Sequence, residues 1–261
     1  MLRIDDADRI RTITLDRPEA LNAFNEALYD ATTEALMDAA ADPTIAVVVI
    51  TGTGRSFSAG TDVVEMAMRN QGGDFPNGTH GFPGLVDQLT SFPKPLLCAV
   101  NGMALGIGGT MLAFADLVFM SSEARVRCPF TDLAVAPEAG SSFTFPLLLG
   151  RQNATWALLS SEWLSAETCK EMGLAWKVTE PADLLEETYR YARVLAAKPI
   201  SSLMESKRAI IAATSDQIAA ARKREDAAFA KLLGAPANIE ALTALAEKRP
   251  PDFAAVDAAN A

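Results

Sequence analysis

Two segments carry residues whose types and spacing can do chemistry. Gly54-Arg55-Ser56-Phe57-Ser58-Ala59-Gly60-Thr61-Asp62 and Asn101-Gly102-Met103-Ala104-Leu105-Gly106-Ile107-Gly108-Gly109-Thr110-Met111-Leu112 each follow an apolar, β-like run and are crowded with residues of little or no side chain. Such stretches let backbone N–H groups come close to a ligand. If the fold brings the two together, two fixed amides can hold one oxygen as it becomes negative, the largest single term in acyl chemistry. The chemistry indicated is that of an enzyme acting on a carbonyl compound.

An acid or base must accompany such amides. There is no phosphate-loop spacing, Gly106-x-Gly108-Gly109 lacks the third glycine of a dinucleotide fingerprint, and no GxSxG elbow occurs. Ser-His, Cys-His or histidine-metal chemistry would rest on His80, the single histidine, in an irregular loop. A carboxylate is left, and Glu138 is best placed, in Leu133-Ala134-Val135-Ala136-Pro137-Glu138-Ala139-Gly140-Ser141-Ser142-Phe143. Burial among such residues raises a carboxyl pKa, which suits a group that takes and returns a proton. An exposed charge complementing a helix N-terminus is an equal reading of the local sequence.

The elements that must position these residues follow from periodicity and punctuation. Arg9 to Leu15 alternates as a strand ended by Asp16-Arg17-Pro18. Asn25 reads as an N-cap, with Leu28, Ala31, Ala35, Leu36 and Ala39 on one helical face until Asp42-Pro43. Ile45 to Thr51 is an unbroken β-branched run, as expected of a strand covered on both faces. Asp62 to Arg69 predicts a short helix, and Gln71 to Gly84 an irregular stretch. Leu96 to Val100 repeats the strand and glycine-loop pattern, Gly108 to Ala115 is helical, and Leu117 to Met120 is a strand. From about residue 180 the pattern turns helical: Asp183 to Ala197, Ser201 to Ala213, Ser215 to Leu232 and Asn238 to Lys248. Helices so rich in Ala and Leu bury a face, and a neighbouring subunit is expected to cover part of it.

The chain has 261 residues, 49% of them hydrophobic, enough for one main domain with an appendage. A formal net charge of -10 argues against nucleic acid and anionic membranes as partners. Cys98, Cys128 and Cys169 lack metal or disulfide spacing and read as reduced core thiols. The start, Met1-Leu2-Arg3-Ile4-Asp5-Asp6, is charged where a signal peptide would be apolar, so a cytoplasmic location is expected. The apolar stretch from Leu96 to Met120 holds Asn101, Asp116 and several glycines, and reads as strand, turn, helix and strand rather than a membrane span.

Over essentially its whole length the chain resembles the crotonase superfamily of enoyl-CoA hydratases and isomerases. The resemblance is carried by Leu21-Asn22-Ala23-Phe24, the Phe57 to Asp62 loop, Lys94-Pro95 leading into Asn101 to Gly106, Asp116, and Glu247-Lys248-Arg249-Pro250-Pro251-Asp252-Phe253. It implies an α/β fold: a ββα spiral over residues 1–197, followed by a helical trimerisation region over 198–261. It implies a homotrimer or a pair of stacked trimers. It also implies an acyl-CoA thioester as substrate, coenzyme A entering as part of it, with no metal and no separate cofactor. By the resemblance, the oxyanion donors are the N–H groups of Ala59 and Ile107. Ser58, Gly60, Thr61 and Asp62 pass along the adenine and pantetheine, with Ala23 nearby and Gly106 in the second loop.

The departures from the family narrow the chemistry. Hydratases resembling this chain use two glutamates, where Thr110 and Phe130 stand here. The third family position, used by a Δ3,Δ2-enoyl-CoA isomerase branch, matches Glu138, and the resemblance therefore implies a double-bond shift with Glu138 as catalytic base. Hydration, another crotonase reaction such as thioester hydrolysis, and a silent acyl-CoA-binding scaffold are the alternatives. Arg55, Lys94, Arg127 and Lys248 are candidate contacts for the phosphates of coenzyme A, though surface cations usually serve solvation. Asp116 is expected to hydrogen-bond structurally. Trp156, Trp163 and Trp176 are expected in the core or at subunit contacts.

Overall fold

A computed structural model describes residues 1–62, 65 and 77–259. The expected helix from Asp62 to Arg69 and the irregular stretch from Gln71 lie largely outside the described residues. Strands β1 (Leu2–Ala7), β2 (Ile10–Leu15), β3 (Val47–Gly52), β5 (Leu96–Val100), β7 (Leu117–Ser121) and β10 (Lys177–Thr179) form one sheet in the order β1-β2-β3-β5-β7-β10. Its first pair is antiparallel and the rest are parallel. Strands β4 (Ser56–Ser58), β6 (Met103–Leu105), β8 (Arg125–Arg127) and β9 (Leu164–Ser165) form a second sheet in that order.

The chain thus gives one strand to the large sheet, the next to the small sheet, and returns through helix: β3 then β4, β5 then β6, β7 then β8. This is the ββα spiral. Successive turns stack closely, because a Cβ on Gly102 would lie 2.2 Å from the Arg55 carbonyl oxygen. The parallel strands read as unbroken apolar runs because both faces are covered. Val48, Ile50, Leu96, Cys98 and Val100 face one cluster, with helices α1 (Glu26–Ala41) and α2 (Gly81–Ser91). Val47, Val49, Leu97 and Ala99 face the other, with α7 (Leu184–Ala196). Asn25 caps α1 as expected, its side chain accepting the Leu28 N–H at 2.9 Å.

Between the strands and α7 lie α3 (Ile107–Thr110), α4 (Ser141–Leu149), α5 (Arg151–Leu159) and α6 (Ala166–Met172). After α7 come α8 (Ile200–Ala212), α9 (Ser215–Leu232), α10 (Pro236–Glu247) and α11 (Phe253–Ala259). The helix expected from Gly108 to Ala115 divides into α3 and a 3-10 turn over Met111–Phe114. Helix α2 begins at Gly81, inside the stretch expected to be irregular. Asp30 makes this possible by accepting the N–H groups of Thr79, His80 and Gly81. His80 enters this anchor through its backbone. Cys98, Cys128 and Cys169 are buried free thiols. Among the described residues no helix is long and apolar enough to cross a membrane.

Asp116 has the structural role expected of it. One carboxylate oxygen accepts the Leu96 N–H and the Lys207 ammonium, each at 2.7 Å, and Lys207 also donates to the Lys94 carbonyl at 2.8 Å. This buried ammonium pins α8 to the middle of the large sheet. Lys207→Ala leaves Asp116 and a carbonyl without their partner and is expected to lower unfolding free energy by about 2–4 kcal/mol. Urea titration measures it. One expectation is corrected. Lys94 is itself buried, donating to the carbonyls of Ala39 and Asp42, so it cannot meet a phosphate. Trp156 and Trp176 are 54% and 55% exposed, which, of the two places expected for them, rules out the core of this chain. Trp163 lies beneath the Arg125 guanidinium, 4.2 Å from its ring centre.

Candidate active site

The two glycine-containing segments meet. A Cβ on Gly60 would stand 2.8 Å from the Leu105 carbonyl oxygen, and one on Gly108 2.7 Å from the Ser58 carbonyl oxygen. Only residues without a side chain allow this approach, and Gly60 and Gly106 also have φ of 86° and 53°. The first segment is locked from below by Asn22, fully buried, whose amide donates to the Thr53 and Ser56 carbonyls and whose oxygen accepts the Arg17 N–H. The second is locked by the Gly106 N–H donating to Arg127 and by the first turn of α3.

Backbone pairing decides which amides face the site. The Ala59 N–H donates to the Leu21 carbonyl at 2.9 Å, so the oxyanion role expected for Ala59 is corrected: this donor is already used. Thr61 forms a parallel bridge with Phe24 in which Phe24 supplies both groups, donating to Gly60 and accepting from Asp62. In that arrangement the Thr61 N–H points away from Phe24, and among the described residues it has no acceptor. The Ile107 N–H, first in α3, likewise has none.

The side chains of the loop are less available than its backbone. Ser58 is fully buried, its hydroxyl donating to the Asn22 carbonyl and accepting the Gly60 N–H, so that hydroxyl is committed to the wall of the site. The Thr61 hydroxyl meets the Tyr29 hydroxyl at 2.8 Å. Asp62 pairs with Arg17 at 3.2 Å, and Arg17 also holds the Ala23 carbonyl, which ties Ala23 and Asp62 to one guanidinium. Arg127 is committed to the Ser161 carbonyl and Asp132.

Glu138 arrives at the same place from a third segment. A Cβ on Gly106 would lie 3.8 Å from the Gly60 Cα and 3.9 Å from Glu138 Oε1. Half-buried, with no hydrogen-bond donor to its carboxylate among the described residues, Glu138 has its pKa pushed up to about 7 by burial, with the charge of Glu225 adding to the shift. Near neutrality such a group is present both as base and as acid. Three distant segments thus bring two backbone amides and one tuned carboxyl together.

The family model described as enoyl-CoA hydratase/isomerase matches residues 5–256. The chain belongs to the enoyl-CoA hydratase/isomerase family. It is 33% identical to the 1,2-epoxyphenylacetyl-CoA isomerase of Escherichia coli, over 94% of each chain. It is 60% identical to an enoyl-CoA hydratase of Mycobacterium marinum of known structure, covering 80% of this chain and 98% of that one with a TM-score of 0.78. An enoyl-CoA hydratase/isomerase structure from Pseudoalteromonas atlantica is 33% identical, covers 97% of this chain and 99% of that one, and has a TM-score of 0.89. Within this enoyl-CoA hydratase/isomerase chain, Thr110 and Phe130 are both buried, and the Thr110 hydroxyl has no partner among the described residues. Neither side chain can do a carboxylate's work.

One residue of the site escaped the sequence reading. Glu225 of α9 accepts the Gly140 and Ser142 N–H groups, so it grips the loop that bears Glu138. The neighbouring residues, Arg224 and Asp226, make it look like one of many solvated charges, and no local signal marks it.

Proposed function

We propose that this chain shifts the double bond of a 3-enoyl-CoA to give the trans-2-enoyl-CoA, with Glu138 carrying the proton. The reading is supported above all by the raised carboxyl of Glu138, the one such carboxyl among the described residues, beside the joined glycine segments, in a site where Thr110 and Phe130 replace the hydratase pair. The Glu138 carboxylate takes a proton from C2, and the electrons of that bond run into the thioester carbonyl. The dienolate oxygen is held by the N–H groups of Thr61 and Ile107, the former taking the role first given to Ala59. Electrons then return from the oxygen, C4 takes the proton from Glu138, and the double bond lies between C2 and C3. No water, metal or redox partner enters the balance.

Gly60, Gly106, Asp62 and Ala23 line the path proposed for coenzyme A, with Arg17 bracing it. The names of the relatives include both isomerases and hydratases, and the side chains at 110 and 130 favour the former. We place the contact of a homotrimer, or of two stacked trimers, on faces that include the exposed Trp156 and Trp176. The test is product analysis by mass spectrometry. From 3-enoyl-CoA the expected product has unchanged mass and the absorbance of a conjugated thioester. Rapid formation of 3-hydroxyacyl-CoA from 2-enoyl-CoA would instead establish hydration.

A further inference from the structure

The loop carrying Glu138 has an unusual backbone and is held from far along the chain. Ala134 and Ala139 have φ of 50° and 58°, and Gly140 follows at 73°. Left-handed alanines cost roughly 1–2 kcal/mol each, so the loop keeps this shape only because its surroundings fix it. Glu225, 4% exposed, accepts the Gly140 N–H at 2.6 Å and the Ser142 N–H at 2.7 Å, capping α4 with the same carboxylate. At the other end of the loop, Asn238 of α10 donates to the Leu133 carbonyl at 2.7 Å. Arg222, one turn before Glu225, binds Asp87 of α2 at 2.6 Å and so docks α9 in place.

We propose that Glu225 is a positioning residue for this reaction: by gripping Gly140 and Ser142 it fixes the Glu138 carboxyl against the Thr61 and Ile107 amides, with Asn238 holding the far end of the loop. The proposal rests on Glu138 being the base. A buried carboxylate is a demanding way to cap a helix, since its charge must be taken out of water. Its charge does a second job by opposing ionisation of Glu138. Among the described residues, other titratable or charged groups near this loop include Cys128, itself pushed up by burial and by Glu138, Asp132 at the start of the loop, paired with Arg127, and Arg222, whose charge is matched by Asp87.

Two variants separate grip from charge. Glu225→Gln keeps one acceptor and removes the charge; kcat is expected to fall about tenfold, KM to change by less than about twofold, and the acid limb of kcat/KM to move down by roughly half a unit. Glu225→Asp keeps the charge and is too short to hold both amides, so kcat falls while the acid limb stays. All are read well below each variant's Tm. A merely structural role would lower Tm and leave the pH profile of both variants as in the wild type, and that result overturns the proposal. Should Glu225→Gln fail to fold, Glu225→Asp decides, because wild-type kcat in it overturns the proposal equally. Full activity in Glu138→Gln would remove the base assignment itself, and it is read with Glu225 intact.

Discussion

Replacing Glu138 by Gln lowers kcat for 3-enoyl-CoA isomerisation by about 10³-fold or more, with KM nearly unchanged. The amide keeps the shape of the carboxyl and cannot take a proton, and the reaction proposed here has one base to lose. In the wild type, kcat/KM falls on the acid side as the carboxyl is protonated, with a midpoint near the value of about 7 to which burial has raised it. The same shift has a consequence for stability. The folded-state value lies above the 4.5 of an ordinary glutamate, so the folded protein binds this proton more tightly than the unfolded chain does, and stability is lost as pH rises from about 4.5 to about 7. Glutamine carries no such penalty. At pH 8 the variant is therefore expected to be more stable than the wild type by roughly 3 kcal/mol, and the two converge below pH 4. Chemical denaturation at the two pH values, beside the rate measurement, tests both halves. Equal activity, or a stability difference that does not depend on pH, contradicts the role given to this carboxyl.

Gly108→Ala is expected to have the next largest effect, through the backbone alone. Its new methyl group would lie 2.7 Å from the Ser58 carbonyl oxygen and 2.9 Å from the Ser58 Cβ, closer than carbon atoms pack. Ser58 is buried and bonded to Asn22, so it has little room to yield. The methyl wedges α3 away from the segment that ends in Thr61, and the two amides no longer point at one oxygen. Displacements of this size cost about 10²-fold in kcat, with about 1–3 kcal/mol of stability lost to overpacking. Steady-state kinetics and thermal unfolding on the same preparation measure the two effects. Wild-type kcat in a folded Gly108→Ala enzyme would show that the close approach of the two segments does not matter for the chemistry.

The sequence made the inner parallel strands legible because burial on both faces writes an unbroken apolar run, as in Ile45 to Thr51 and Leu96 to Val100. Strand β1 was missed because it is an edge strand whose residues are mostly exposed, and β4, β6 and β8 because three residues are too few to show a period. Glu138 stood out through its apolar neighbours. The resemblance assigned the oxyanion role to Ala59, and nothing in the local sequence tells its N–H from that of Thr61. Which N–H points inward is set by pairing with Leu21 and Phe24, more than thirty residues upstream, and that pairing leaves the Thr61 N–H without an acceptor among the described residues. Glu225 could not have been found, since its two partners lie over eighty residues away and its surroundings are those of any exposed helix.

The most direct test of the single-carboxyl proton shuttle follows the proton itself. A 3-enoyl-CoA carrying deuterium at C2 is isomerised in ordinary water, and the product is examined at the lowest measurable conversion by NMR and mass spectrometry. A measurable fraction of deuterium at C4 is expected, because the group that removes the label also returns it before water replaces it. A product whose C4 holds solvent hydrogen alone, even in the earliest turnovers, would contradict the mechanism.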